Sequence, residues 1–235
     1  MLLKELRISV LEANLELVKR GLVLYTFGNA SGIDRERGLV VIKPSGVDYE
    51  ELRPEHMVVT DLDGKVVEGD LKPSSDLDTH TLLYREFASI GAVVHTHSEY
   101  ATSFAQAGLP IPALGTTHAD YFYGPVPVTE ALSDEAVGGR YVHETGRAIV
   151  ERFRGGNDLI DPLDVPAVLV AGHAPFCWGR DPAEAAHNAV VLEAVARMAY
   201  RTLTLKAECA GVSQGLLDRH YFRKHGAAAT YGQKR

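Results

Sequence analysis

Cysteine is nearly missing from these 235 residues, with Cys177 and Cys209 the only two. A chain of this length needs no disulfide staple. Two thiols therefore read as buried or half-buried groups in a reducing compartment, and neither reads as a nucleophile. Basic residues are in the minority too, 24 Lys and Arg against 31 Asp and Glu, for a net charge of −7. The stretch 219–235 is locally basic, but no long basic run offsets the deficit, so a surface that grips nucleic acid by releasing counterions is not expected. No apolar run approaches the length that spans a bilayer. The opening Met-Leu-Leu-Lys-Glu-Leu-Arg turns amphipathic at once, without an apolar signal core. The expectation is a cytoplasmic protein without a membrane or nucleic-acid partner.

What is present suits a folded enzyme: 46% hydrophobic and 23% charged residues exclude disorder as a reading of the whole chain. No internal repeat, low-complexity tract or rich linker divides the sequence, so one domain over 1–235 is expected. Leu3, Leu6, Val10, Leu17 and Val18 recur at helical spacing and Gly21 follows as a C-terminal stop, predicting a helix over the first twenty residues. Short β-branched runs follow at 22–25, 39–42, 57–60 and 65–67, with Asp63-Gly64 as a hairpin turn and antiparallel pairing implied. From Thr79 the pattern alternates: helix 79–87, strand 92–96, helix 99–107, an irregular Gly/Pro/Thr-rich stretch, helix 144–154 and strand 167–170. Asp181-Pro182-Ala183-Glu184 then opens a long helix reaching about Glu208. This order predicts an α/β fold in which helices pack on the faces of a sheet.

The chemistry is concentrated in a few places. His95-Thr96-His97 follows the apolar strand Ala92-Val93-Val94, and a period of two aims both imidazoles at one face of its C-terminal end. His173, just beyond the strand at 167–170, is a third candidate ligand, and Asp76, at the start of a helix, is a carboxylate candidate. Three histidines and one carboxylate suit Zn2+, with Mn2+ or Co2+ as alternatives, in a catalytic rather than a structural role. The remaining histidines, among them His56, His80, His118, His143 and His187, carry no assignment. Lys43-Pro44-Ser45-Gly46 and Lys72-Pro73-Ser74-Ser75 repeat one chemistry: a cation, a fixed backbone and a hydroxyl beside free amides. Gly28-Asn29-Ala30-Ser31 reads as a further turn able to aim N–H groups into a concavity. Each alone is an ordinary turn; three converging would bind a phosphate, and the second runs directly into Asp76. A P-loop and a dinucleotide fingerprint are both missing.

These segments, together with Lys43–Asp48, Val94–Ser98, Gly115–Gly124 and His220–Gln233, resemble the class II (metal-dependent) aldolase/epimerase family over nearly the whole chain. The run Thr116-Thr117-His118-Ala119-Asp120-Tyr121-Phe122-Tyr123-Gly124 and the terminal Tyr231-Gly232-Gln233 resemble its L-ribulose-5-phosphate 4-epimerase branch. The resemblance implies a three-layer α/β/α sandwich around a mostly antiparallel sheet, in a homotetramer with active sites between subunits. It implies metal ligands Asp76, His95, His97 and His173, and phosphate contacts from Gly28, Asn29, Ser45, Gly46, Ser74 and Ser75, with Lys43 nearby. It makes Asp120 and Tyr231, from a neighbouring chain, an acid/base pair, with His220 and Arg223 close to them. The implied reaction, in pentose catabolism, is retro-aldol cleavage between C3 and C4 of a pentulose phosphate, rotation of the aldehyde and re-addition. Aldolases of the family carry Glu where Asp76 stands, and the related adducin module lacks the metal site. Both are alternative readings. The segment Ala171-Gly172-His173-Ala174-Pro175 departs from the family pattern, which has Ser before the ligand and Gly after it.

Overall fold

A computed structural model of the chain describes residues 1–155, 159–226 and 229–230. Helix α1 (Lys4–Lys19) ends where Gly21, at φ 71°, turns left-handed. There the Gly21 amide donates to the Val18 carbonyl and the Leu22 amide to that of Leu17, a helix stop that satisfies two otherwise bare carbonyls. This corrects the expected strand at 22–25: the Leu22 amide is taken by the helix, and residues 24–27 close a turn in which Tyr25, at φ 52°, stands 86% exposed. The first strand is instead β1 (Asn29–Asp34), so of the expected turn at 28–31 only Gly28 has a positive φ, and Asn29, Ala30 and Ser31 are sheet residues.

Strands β2 (Leu39–Ile42), β3 (Val58–Asp61) and β4 (Val66–Glu68) add one after another to β1, and the turn at Gly64 closes the last hairpin. Helix α2 (Leu77–Glu86) crosses to β5 (Ala92–His95), which pairs with the other side of β1. Helix α3 (Glu99–Ala107) has the bounds the sequence predicts. The stretch expected to be irregular contains two short helices, α4 (Thr116–Ala119) and α5 (Asp134–Gly138), and α6 (Tyr141–Arg154) begins three residues earlier than predicted. Strands β6 (Ala167–Leu169) and β7 (Pro175–Gly179) form a hairpin, followed by α7 (Pro182–Leu205) and α8 (Gln214–Phe222). The seven strands lie in the order β4-β3-β2-β1-β5-β7-β6, every pair antiparallel.

Period-two alternation gives each central strand two buried faces. Ala92 and Val94 of β5 and Cys177 of β7 pack with α1, α3 and α7, whereas Val93, Phe176 and Trp178 pack on the other side with α2 and α6. That is the expected three-layer sandwich. No helix among the described residues is long and apolar enough to cross a membrane.

Two buried histidines that the sequence leaves unassigned make stability depend on pH. Burial holds both His80 and His118 down to about 4, against an ordinary 6.5; the Asp76 charge and the Gly124 carbonyl only partly offset it. Between these values the unfolded chain binds protons that the folded chain does not. Stability is therefore full above pH 6.5 and falls as pH drops toward 4, by up to about 1.4 kcal/mol per pH unit for each histidine. Denaturant midpoints between pH 7 and 5 should show this slope, and His118→Gln should make it shallower.

Candidate metal and anion site

One end of the sheet gathers nearly all the residues singled out above. β5 ends at His95, and Thr96–Ser98 lies beyond the strand, yet the two imidazoles still converge: His95 Nε2 and His97 Nε2 are 3.2 Å apart. The turn between β6 and β7 brings His173 to them, and ligand nitrogens of all three lie within 4.8 Å of one another. Two nitrogens bound to one tetrahedral zinc at about 2.0–2.1 Å stand about 3.3 Å apart, the spacing of the His95–His97 pair, and His173 completes a donor set that suits such an ion. His95 Nδ1 donates to the Pro175 carbonyl at 2.9 Å, which fixes the tautomer and leaves Nε2 bare. Phe176 stacks on the same ring at 4.2 Å.

Burial disfavours the charged form of all three rings. It pushes His95 down to about 3 against the pull of Asp76, and it holds His97 and His173 below their ordinary value. Three neutral imidazoles facing one point are what a metal requires. Asp76 lines the same cavity at the N-terminus of α2 but stands outside the three-histidine cluster, and its Oδ2 accepts from Asn29 Nδ2 at 2.7 Å. Burial raises its pKa, but the neighbouring His95, His80 and Asn29 outweigh this and keep the group ionised.

The two Lys-Pro-Ser segments converge through their backbones. The Ser45 amide donates to the Lys72 carbonyl, the Ser74 amide to the Lys43 carbonyl, and Pro44 bridges to Pro73. The result is one double loop, with Gly46 at φ 67° on its rim. Gly28 completes the wall from β1; a Cβ there would sit 2.9 Å from the His95 carbonyl and 2.8 Å from Val23, so only glycine fits. Gly28, Asn29, Ser45, Gly46, Ser74 and Ser75 all line a cavity of about 680 Å3 that also holds Asp76 and the three histidines. Lys43 lines it as well, but its ammonium is turned inward. Nζ donates to the Pro44 and Val47 carbonyls over the Tyr49 ring, and burial, against the pull of Asp48, lowers its pKa to about 8. Its role in this chain is to brace the loop.

Asp120 is elsewhere, at the end of α4, and does not line the cavity. Its carboxylate accepts from His220 Nδ1 at 3.0 Å and from Arg223 Nη2 at 3.0 Å, with Lys224 Nζ at 3.4 Å, while His225 donates to its carbonyl. Burial raises the Asp120 pKa, and the hydrogen bonds from Arg223 and His220 with the Lys224 charge lower it further than burial raises it. His220 and Arg223 thus join Asp120 as the sequence suggests. Tyr231 lies outside the described residues.

Sequence reasoning missed two contributors. Tyr49 donates its hydroxyl to the Phe27 and Gly28 carbonyls and so ties the β1 entry to the anion loop. Tyr141, the first residue of α6, places its hydroxyl 3.2 Å from His173 Nδ1. A proton held on Nδ1 by that hydroxyl leaves Nε2 for an ion. Neither tyrosine carries a local motif that could have announced it. Tyr141→Phe should weaken metal affinity roughly tenfold, the scale of a lost partner behind a ligating histidine. Competition with a chromogenic chelator measures it, and unchanged affinity would show that the hydroxyl does not hold His173.

The model of the class II aldolase and adducin N-terminal domain family matches residues 8–200. The L-ribulose-5-phosphate 4-epimerase UlaF of Salmonella paratyphi B (strain ATCC BAA-1250 / SPB7) is 52% identical over 232 residues, covering 99% of this chain and 100% of that protein. Among solved structures, an L-fuculose 1-phosphate aldolase superposes with a TM-score of 0.75 at 27% identity, covering 92% of this chain and 94% of the other. The L-fuculose-1-phosphate aldolase from Thermus thermophilus gives 0.68 at 23%, covering 88% and 100%, a likeness of fold.

Proposed function

The chain belongs to the class II aldolase and adducin family, and from that premise we propose that it is a metal-dependent enzyme of pentose catabolism that interconverts L-ribulose 5-phosphate and D-xylulose 5-phosphate. One observation carries the reading: three converging neutral histidines and an interlocked Lys-Pro-Ser double loop share one cavity. The relative that is 52% identical over almost its entire length supports this choice of substrate.

A divalent ion held by His95, His97 and His173, with Asp76 beside them, supplies Lewis acidity toward the ketose oxygens. Zn2+ is the choice that three imidazoles and one carboxylate favour. The hydroxyls of Ser45, Ser74 and Ser75 and the backbone amides of Gly46 and Ser75, with Gly28 and Asn29 opposite, bind the phosphate. They retain the two-carbon aldehyde phosphate after the C3–C4 bond breaks. Rotation of that aldehyde presents its other face, and bond re-formation inverts C4. Asp120 and Tyr231 serve as the acid/base pair at the C4 oxygen, one for each face.

Within one chain Asp120 is away from the cavity, so this role requires a neighbouring copy, and a homotetramer with sites between subunits is part of the proposal. Exposed Leu24, Tyr25 and Phe27 beside the cavity suit coverage by such a copy. The whole chain acts as one domain, in the cytoplasm. An aldolase is the second reading, favoured by the likeness to the fuculose-phosphate enzyme, and Asp76 speaks against it. A carboxylate one methylene shorter than the Glu of the aldolases reaches less far to protonate the three-carbon fragment and release it. Turnover of L-ribulose 5-phosphate, measured before and after chelation and Zn2+ re-addition, tests both readings. Metal-dependent xylulose product without free aldehyde establishes the epimerase, and accumulating aldehyde establishes the aldolase.

A further inference from the structure

Behind Asp76 lies a line of buried polar groups that the proposed chemistry leaves unused. Ser31 of β1 and His80 and Tyr84 of α2 are all buried, and Ser31 Oγ lies 2.7 Å from both His80 Nδ1 and the Tyr84 hydroxyl. Chemistry fixes the direction of these bonds. Ser31 Oγ is the acceptor within reach of the Tyr84 hydroxyl, so the phenol's own proton goes to it. Ser31 then donates to His80 Nδ1, and His80 carries its proton on Nε2. The opposite direction would leave the buried phenol proton with no acceptor.

His80 Nε2 is buried and has no partner among the described residues. A buried N–H without an acceptor marks a place where an acceptor belongs. Asp76 is four residues earlier, where α2 begins, on the face of the helix that His80 shares. The Asp76 charge reaches His80, and the Phe176 ring that stacks on His95 also meets His80 edge-on, with centroids 6.1 Å apart. His80 is therefore seated against the same wall as a metal ligand.

We propose that His80 is a positioning residue for Asp76: with an ion at the three histidines, its Nε2–H, unpartnered in this structure, becomes the second donor to that carboxylate, opposing Asn29 Nδ2 and fixing which oxygen edge faces them. The orientation of this ligand is then set from the centre of the sheet, through Ser31 and Tyr84, and not from the loop that carries it. The inference rests on the reading of Asp76 as part of the metal site.

The test is Zn2+ affinity by chelator competition on the full chain, together with the thermal midpoint of each metal-free protein. His80→Gln puts an amide N–H near the Nε2 position and should bind Zn2+ within about threefold of the unaltered chain, whereas His80→Phe should bind it 10- to 100-fold more weakly. The metal-free midpoints of the two variants should agree. Equal weakening in both variants, or full affinity in His80→Phe, overturns the proposal. Should His80→Phe fail to fold, Ser31→Ala, which frees His80 to move its proton to Nδ1, should weaken binding severalfold, and unchanged affinity there also overturns it. An unaltered chain that binds no Zn2+, or Asp76→Ala without effect on affinity, defeats the metal-site reading itself, a result distinct from failure at His80 alone.

Discussion

His97→Ala should abolish bound metal and lower turnover by roughly three orders of magnitude, the scale on which loss of a preorganised electrostatic group acts, while leaving the fold nearly as stable as before. The choice of histidine decides whether the result can be interpreted. His95 is 2% exposed, stacked on Phe176 and bonded to the Pro175 carbonyl. Truncating it would open a hole in the core and cost about 2–5 kcal/mol on the scale of large-to-small replacements, confusing a lost ligand with a loosened sheet. His97 lies past the end of β5, exposed, with the Phe27 ring 6.4 Å away at the cavity rim. Its removal takes out one ligand and little packing. Metal content, kcat and the thermal midpoint, measured on both variants, separate the two effects. Turnover by a metal-free His97→Ala protein would remove the metal from the mechanism.

The same contrast shows how far local pattern reaches. His95 and His97 were legible because a strand's period of two is local, and the Lys-Pro-Ser pairs because their repetition is visible within thirty residues. That the pairs interlock, Ser45 to Lys72 and Ser74 to Lys43, is a long-range fact with no local trace. β7 was missed because it opens with Pro175 after Gly172 and His173, punctuation that reads as loop, while its pairing with β5 is decided some eighty residues away. The false strand at 22–25 failed for the opposite reason: an apolar run with good β propensity was overridden by a helix stop that claims the Leu22 amide. α8 has only Ser213 as a start signal, yet it delivers His220 and Arg223 to Asp120 across a hundred residues.

That cluster leads to the second large effect. If Asp120 serves a cavity on another copy of the chain, Asp120→Asn and His97→Ala damage opposite halves of each site. Each protein alone should turn over at least about a hundredfold more slowly than the unaltered enzyme, the scale of a lost acid/base group. Oligomers formed from equal amounts of the two should recover activity, because some sites then receive an intact metal half from one copy and an intact Asp120 from its neighbour. In a closed ring each site draws on two adjacent subunits, and random mixing makes both halves intact in about one quarter of sites, so about one quarter of unaltered activity is expected. Asn is preferred to Ala because it keeps an acceptor for His220 and Arg223, and an Ala would leave both donors without it. A same-chain site gives a different result: Asp120→Asn subunits and His97→Ala subunits would each hold only damaged sites, and mixing would restore nothing. Mixed oligomers confirmed by two distinguishable tags yet without activity would therefore place Asp120 within its own chain's site, whereas an Asp120→Asn protein that turns over normally by itself would place Asp120 outside the reaction, and the groups around it would then be read as the anchor of α8.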